Sequence, residues 1–308
     1  MWKQLLAGIQ IGNHQSIARA ISLVENEVEG YDHFLQSLPI GKTPITGITG
    51  PPGAGKSTLT DALIGHWTAQ GKKVAILCID PSSPFNMGAL LGDRIRMSDW
   101  YNHRGVYIRS LATRGSLGGL HPYIIEITAI LQTAGFDEII VETVGVGQSE
   151  IEIAGLADTT VVVVVPEAGD EVQTMKAGLM EIADVFVVNK SDRPDADSFV
   201  KNLRLMLAPA FNSDKKIEVI KTVASQKEGI GELANAITEH QQHIAVNNRK
   251  IWLLTERVYQ LIAKEKMRSV NKNKIFSELK IKFESNDFNL FKYVYDFLDN
   301  NEYLSFKS

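Results

Sequence analysis

The sequence predicts an α/β protein in which a mostly parallel sheet carries helices on both faces, with helical extensions at the two ends. Strand-like and helical segments alternate between residues 43 and 245, an order typical of parallel sheets. The five valines at 161–165 are too few to span a bilayer. They indicate a strand buried on both faces, which is the environment of a parallel sheet.

Seven strand-like segments and at least four helical segments support this prediction. The strands are ITGITG, KVAILCID, GVYIRS, EIIVET, TTVVVVV, DVFVVNK and KIEVIKT. The helices are Lys56 to Gln70, Tyr123 to Ala134, Glu171 to Ile182 and Asp197 to Leu207. Right-handed crossovers place the carboxyl ends of parallel strands at one edge of the sheet, where ligands bind.

Three regions are predicted along the chain. Residues 1–42 form an N-terminal helical extension, in which GNHQS interrupts the helical spacing with a capping turn. Residues 43–245 form the central α/β domain. Residues 246–308 form a C-terminal helical arm with two apolar-faced segments, RKIWLLTERVYQLIAKEKM and NLFKYVYDFLDNNEYL.

The composition excludes several classes of protein. A net charge of −4 argues against a general nucleic-acid binder, and no stretch has the apolar length of a membrane span. Cys78 is the single cysteine, so an intrachain disulfide is impossible, and we expect a reducing, cytoplasmic location. The histidines lack metal-ligand spacing and are predicted to be surface or partly packed residues.

A glycine-rich stretch, GPPGAGKST, follows the first predicted strand and opens a helix. It fits the phosphate-loop pattern G-x-x-x-x-G-K-[ST], and it makes the predicted fold that of a P-loop NTPase; a plain glycine turn is the alternative. Lys56 would neutralise the β- and γ-phosphates, and the Ser57 hydroxyl would bind Mg²⁺. The predicted nucleotide contacts are Gly50, Gly53, Ala54, Gly55, Lys56, Ser57 and Thr58, and Lys56 is also predicted to be catalytic.

A second motif, NKSD, ends the strand DVFVVNK and predicts guanine recognition. Asp192 would accept hydrogen bonds from guanine N1–H and the exocyclic amine, a pair that adenine lacks. Asn189 would support the loop and the O6/N7 edge of the base, and Lys190 would lie over the ring. The Ala224 backbone N–H would reach guanine O6. A polar loop at a strand end is the alternative.

Three acidic residues are predicted to serve a magnesium ion together with Ser57. Asp80 ends the second strand, Asp93 lies in the loop LLGDRIRM, and Glu142 ends the strand before TVGVG. Mg²⁺ prefers oxygen ligands and tolerates intervening water, so a glutamate at position 142 can act directly or through water. For each acid taken singly, a loop carboxylate or helix cap is the alternative.

The segment after Glu142 is predicted to be a switch. Gly145 would aim a backbone N–H at the γ-phosphate, and Gln148 would orient the attacking water, with a solvated loop glutamine as the alternative. The candidates for stabilising transition-state charge are Arg94, Arg96, Arg109 and Arg114, for each of which surface or structural pairing is the alternative.

Together, the ordered motifs resemble the MeaB/ArgK family of P-loop GTPases over residues 4–243. The motifs are GITGPPGAGKSTL, IDPSSPF, GDRIRM, ETVGVGQSE, GDEVQTMKAGLMEIAD and VVNKSD. The resemblance implies a GTPase that uses GTP, GDP and Mg²⁺ and assists cofactor loading and protection of an adenosylcobalamin-dependent acyl-CoA mutase such as methylmalonyl-CoA mutase. It also implies homodimers formed through the C-terminal arm.

The resemblance further implies a third switch at residues 169–176. Asp170 and Lys176 fall at positions that couple hydrolysis to the mutase, so both are expected to be catalytic. Glu167 and the pair Thr174–Met175 depart from the usual family residues, Gly and Gly-Ile. The alternatives are an arginine/ornithine transport-associated ATPase or kinase, which NKSD disfavours, and a metal-insertion GTPase for nickel enzymes, for which no Cys/His metal site is visible.

Overall fold

The computed structural model describes eight stretches of the chain, and the fold below refers to them. They are residues 1–80, 97–113, 120–144, 149–168, 178–207, 217–243, 248–284 and 288–300.

Seven strands in this part of the chain form one sheet, in which each neighbouring pair is parallel. The strand order is β3-β2-β4-β1-β5-β6-β7. The strands are β1 (Ile45–Thr49), β2 (Val74–Asp80), β3 (Val106–Ala112), β4 (Glu138–Glu142), β5 (Thr159–Val164), β6 (Val185–Asn189) and β7 (Glu218–Thr222). The predicted α/β fold class is confirmed.

Twelve helices accompany the sheet in the described residues. They are α1 (Trp2–Gln10), α2 (His14–Glu25), α3 (Tyr31–Gln36), α4 (Lys56–Ala69), α5 (Ile124–Thr133), α6 (Ser149–Leu156), α7 (Gly178–Ile182), α8 (Ala196–Leu207), α9 (Ile230–Gln242), α10 (Asn248–Lys266), α11 (Lys272–Glu284) and α12 (Leu290–Asn300). Residues 171–177 of the predicted helix that ends at Ile182 lie outside the described residues.

The valine run lies in β5, inside the sheet, and its side chains pack on both faces of the sheet. Val161 and Val163 belong to the apolar cluster that contains the buried side chains of α4 and α9. Val162 and Val164 belong to the cluster with α7 and α8. Alternating side chains of a strand point to opposite faces, so a strand buried on both sides needs an uninterrupted apolar run.

The register of the strands brings three of their carboxyl ends together. Glu142, the last residue of β4, pairs with Ile48 of β1 on one side and Cys78 of β2 on the other. The P-loop that follows β1 and the side chain of Asp80 at the end of β2 therefore lie beside Glu142, at the edge where parallel sheets bind ligands.

The N-terminal helices include the predicted capping turn. Asn13 Oδ1 accepts a hydrogen bond from Ser16 N at 2.8 Å, which satisfies one free N–H at the start of α2. Glu25, at the end of α2, forms an ion pair with Arg109 of β3, and its Oε1 lies 3.2 Å from His121 Nε2. His121 is fully buried, so the prediction of a surface or partly packed histidine is wrong at this position.

The chain divides into two compact units, residues 1–250 and residues 251–308. The second unit contains most of α10 together with α11 and α12. The helix α11 was not among the predicted segments, because its sequence from Lys280 to Phe283 alternates charged and apolar residues as a strand would. The predicted domain limits at residues 42 and 245 stay predictions. In the described stretches, no helix is both long and apolar enough for a membrane span.

Candidate nucleotide site

The phosphate loop joins β1 to α4 and is held close to the neighbouring strands. Gly50 has φ +138°, and a Cβ there would lie 2.0 Å from the carbonyl oxygen of Val163. Gly55 has φ +90°, and its Cβ would lie 2.4 Å from Asn189 Nδ2. Both positions therefore need glycine for backbone conformation and for space.

Lys56 is the first residue of α4 and is buried, with its ammonium group turned back over the loop. Its Nζ donates to the carbonyl oxygens of Gly50 at 2.9 Å and Pro51 at 3.1 Å, and lies 3.4 Å from that of Val144. The charge is thus placed between the phosphate loop and the segment that follows β4, where the predicted role at the β- and γ-phosphates requires it.

Ser57 and Glu142 are in direct contact, as their predicted service to one metal ion requires. Ser57 Oγ lies 2.6 Å from Glu142 Oε1, and Thr60 Oγ1 lies 2.8 Å from Glu142 Oε2. All three side chains are buried. A buried carboxylate is costly unless hydrogen bonds satisfy it, and two hydroxyl groups of α4 do so here.

A cleft of about 470 Å³ opens over these residues. Its lining includes Gly53 and Gly55 of the loop, Thr58 of α4, the acids Asp80 and Glu142, and Lys190. Lys190 of the predicted base motif therefore lies on the same cleft as the predicted phosphate motif.

The oxygen donors on this cleft suit a magnesium ion. Ser57, Asp80 and Glu142 offer one hydroxyl and two carboxylates. Mg²⁺ in nucleotide sites is typically held by one or two carboxylates together with phosphate oxygens and water. Within the stretches described, no group of three or more His, Cys, Asp or Glu side chains is arranged to hold a metal. The chemistry thus fits a hard cation shared with phosphates better than an all-protein cage.

Asn189 connects three loops at the carboxyl edge of the sheet. Its Nδ2 donates to the Ala54 carbonyl oxygen at 2.9 Å. Its Oδ1 accepts from Thr222 Oγ1 and from Ala224 N, both at 3.1 Å. The predicted loop-supporting role is thus visible as bonds to the phosphate loop and to the turn after β7. The predicted contacts of Asn189 and Ala224 with the base stay predictions.

Lys190 and Asp192 follow in the same motif. Lys190 has φ +57°, and its Nζ donates to the Gly53 carbonyl oxygen at 2.7 Å, so its methylene stem crosses from the base motif to the phosphate loop. Asp192 lies exposed in the turn after β6. The carboxylate predicted to read guanine is therefore accessible to a ligand.

An ion pair adjoins the guanine motif. Glu167 lies in the turn Pro166–Ala168 after β5 and pairs with Arg193. The hydrogen bond from Arg193 holds the pKa of Glu167 below its usual range. The turn that leads into residues 169–177 is thereby linked to the residue after Asp192. Both side chains are about half exposed, so the pair contributes orientation more than stability.

Several predicted residues lie outside the described residues: Asp93, Gly145, Gln148, Asp170, Lys176 and the candidate arginines Arg94, Arg96 and Arg114. Of the candidate arginines, Arg109 lies within them and has a structural partner. It donates to Glu25 and to Ser22 Oγ at 3.2 Å, which agrees with the alternative interpretation of structural pairing.

Thr60 is the site residue that the motif analysis missed. It lies three residues after Ser57, a spacing that puts both side chains on one face of a helix. That spacing was a usable signal, but its value depended on knowing that Glu142, more than 80 residues away, extends toward this face.

Comparison with known proteins agrees with this geometry. The family described as methylmalonyl-CoA mutase-associated GTPase MeaB matches residues 17–281. A putative GTPase of Pyrococcus abyssi is 48% identical over 81% of this chain and 79% of its own length. The GTPase ArgK of Escherichia coli is 33% identical over 90% of this chain and 85% of its own.

A solved structure described as an LAO/AO transport system kinase shares the fold. Its TM-score is 0.63 with 23% identity, and the match covers 97% of each chain. The family match extends over most of the sequence and includes the phosphate loop, Glu142 and the guanine motif. The chain is a GTPase and belongs to the MeaB family of methylmalonyl-CoA mutase-associated GTPases.

Proposed function

We propose that this GTPase is a nucleotide-driven chaperone for an adenosylcobalamin-dependent acyl-CoA mutase, which it assists in cofactor loading and protection. The observation that carries the proposal is the bonding of Asn189 to both the phosphate loop and the turn at Ala224. Such bonding joins the predicted guanine end of the site to its phosphate end. The description of the matching family supplies the partner class.

Magnesium is part of this proposal. Ser57, Asp80 and Glu142 would hold the ion with Asp93, and the ion would supply charge stabilisation at the β- and γ-phosphate oxygens. The residues of the chain do the remaining work. Lys56 offsets phosphate charge from the loop side, and Gln148 orients the water that attacks the γ-phosphoryl group.

The reaction itself needs little covalent chemistry from the protein. Water attacks phosphorus, the bond to the β-phosphate oxygen breaks, and GDP and inorganic phosphate leave. Rate enhancement of this kind comes from positioning and preorganised charge. A partner that orders the switch segments therefore controls the rate, and Asp170 and Lys176 are the residues proposed to transmit its binding.

A homodimer formed through the second unit, in the cytoplasm, completes the proposal. The exposed large apolar side chains of α10 include Trp252, Val258, Tyr259 and Ile262. Patches of this kind on a folded surface are typical of association sites. Self-association of the full chain is measurable by sedimentation.

The decisive experiment measures GTP and ATP hydrolysis by the purified chain, alone and with purified methylmalonyl-CoA mutase. We expect hydrolysis of GTP in preference to ATP and a change in rate or nucleotide affinity when mutase is added. Equal use of the two nucleotides, or no response to mutase, would contradict the proposal. Labelled γ-phosphate must be released as free phosphate, and label on a partner protein would indicate a kinase instead.

A further inference from the structure

The Glu142 carboxylate contacts two hydroxyl groups from one helix. Ser57 Oγ lies 2.6 Å from Oε1, and Thr60 Oγ1 lies 2.8 Å from Oε2. The exposed fractions are 0% for Thr60, 3% for Glu142 and 7% for Ser57. The three side chains are thus mostly shielded from solvent, and each carboxylate oxygen has a different donor.

The proton positions follow from the chemistry of these groups. An ionised carboxylate only accepts, so both hydroxyls donate to Glu142. Thr60 Oγ1 also lies 3.0 Å from the Lys56 carbonyl oxygen. The charged and nearer acceptor, Glu142, is favoured for its single proton. A serine hydroxyl whose proton is directed at a carboxylate binds a cation through its oxygen, and the hydrogen-bond geometry at Glu142 gives Ser57 that proton direction.

The length of the side chain at position 142 explains why a second hydroxyl matters. Glutamate has one more rotatable bond than aspartate, so its carboxylate has more orientations to restrict. A donor at Oε2 removes the rotation that would turn Oε1 away from Ser57. Thr60 lies one helical turn past Lys56, where it meets that second oxygen.

We propose that Thr60 is a positioning residue for the metal site. Its hydroxyl fixes Oε2 of Glu142, so that Oε1 orients the Ser57 hydroxyl for magnesium. The inference rests on the magnesium site proposed above. Replacing a residue that orients a metal ligand through hydrogen bonds typically changes metal affinity or activity by about 10- to 100-fold. Thr60 would orient the proposed ligand Ser57 in this way, through Glu142.

The test replaces Thr60 with valine, which keeps the shape and removes the hydroxyl. Mn²⁺ binding to the full-length protein–GDP complex is measured by electron paramagnetic resonance, alongside the Mg²⁺ concentration that gives half-maximal GTP hydrolysis. We expect Thr60→Val to weaken Mn²⁺ binding and raise the half-maximal Mg²⁺ concentration by about tenfold or more. Thr60→Ser, which restores the hydroxyl, should return both values to near those of the wild type.

Thr128→Val is the matched control. Thr128 is also a buried helical threonine, and its hydroxyl bonds to the carbonyl oxygens of Ile124 and Ile125, both at 2.9 Å. The Thr128→Val substitution should lower the melting temperature without changing the affinity for Mn²⁺. If Thr60→Val does not fold, Thr60→Ala removes the same hydroxyl and must show the same loss of cation affinity.

Two results would overturn the inference in distinguishable ways. If Thr60→Val melts at a lower temperature but binds Mn²⁺ as the wild type does, the hydroxyl is structural only, while the proposed magnesium site stands. The second result concerns the wild type: its GDP complex binds no Mn²⁺, and the enzyme hydrolyses GTP without Mg²⁺. That result would contradict the proposed magnesium site and, with it, the proposed role of Thr60.

Discussion

The two compact units differ in how far their apolar side chains are exposed to solvent. In the first, Leu59, Leu63 and Trp67 of α4 are essentially inaccessible to water. In the second, none of the described side chains of α10 or α11 is buried, and Leu261 is 43% exposed. The first unit has the interior expected of an independently folded domain. The second presents a surface that another surface can cover.

This difference suggests that GTP hydrolysis and self-association depend on different units of the chain. The residues that line the cleft, from Pro52 to Lys190, all belong to the first unit, where neighbouring elements fix their orientation. Hydrolysis should therefore depend on the first unit, and self-association on the second.

The largest expected effect is the loss of hydrolysis in Lys56→Ala. Removing the ammonium group takes away charge that offsets the phosphates, so we expect kcat to fall by roughly 100-fold or more. Steady-state GTP turnover measures this. Lys73→Ala, at an exposed lysine outside the cleft, is the control and should retain activity. Normal GTP turnover by Lys56→Ala would contradict the assignment of Lys56 and the phosphate loop to GTP hydrolysis.

The next effect compares the same truncation in the two units. Leu63→Ala should lower the free energy of unfolding by about 2–5 kcal/mol, because it leaves a cavity in a closed core. Leu261→Ala should cost no more than about 0.5 kcal/mol in dilute protein, since its side chain is partly exposed. Urea unfolding at two protein concentrations measures both.

The concentration dependence sharpens the comparison. If the arm forms a dimer, the cost of Leu261→Ala should rise with protein concentration, whereas the cost of Leu63→Ala should not. The contrast between the units would be contradicted if Leu261→Ala lowered the free energy of unfolding as much as Leu63→Ala does, at both protein concentrations.

A smaller effect concerns the contacts of Glu25 with Arg109 and His121 within the first unit. Burial raises the pKa of Glu25, but the His121 hydrogen bond and the Arg109 charge outweigh it, so the pKa lies below its ordinary value. A lowered carboxylate pKa stabilises the fold above the unfolded-state pKa, and that stability is lost as pH falls through the folded-state pKa. We expect Glu25→Gln to cost about 1–3 kcal/mol at neutral pH.

The pH profile is the informative part of that measurement. The stability difference between wild type and Glu25→Gln should shrink as pH falls below the usual titration range of glutamate and vanish under the folded-state pKa. Glu29→Gln, at an exposed position of the same region, should show little difference at any pH. A Glu25→Gln deficit that persists in acid would assign the loss to packing instead of charge.

Sequence patterns predicted the sheet and the motifs better than the contacts between them. The valine run and the alternation of segments depend on local periodicity, so the strands were found. The link from Asn189 to Ala54 spans 135 residues and that from Thr60 to Glu142 spans 82. No local pattern encodes them, because both arise only when the strand order brings the loops together.

Helix α11 was missed because its sequence from Lys280 to Phe283 alternates charged and apolar residues as a strand would. Its apolar residues, such as Phe276 and Phe283, are about 70% exposed. Conversely, His121 looked ordinary in the sequence, because its burial depends on Glu25, a residue of a distant helix. Positions whose environment is set by tertiary contacts are the ones that sequence reasoning cannot resolve.

The central claim, that Asp192 selects guanine for the nucleotide whose phosphates the loop is proposed to bind, has one direct test. Asp192→Asn replaces an acceptor with a donor, which suits the 2-oxo group of xanthine instead of the 2-amino group of guanine. Competition between GTP and xanthosine triphosphate should show the wild type preferring GTP and Asp192→Asn reversing that preference, with the ratio shifting by at least about 100-fold. An unchanged preference for GTP in Asp192→Asn would contradict the account.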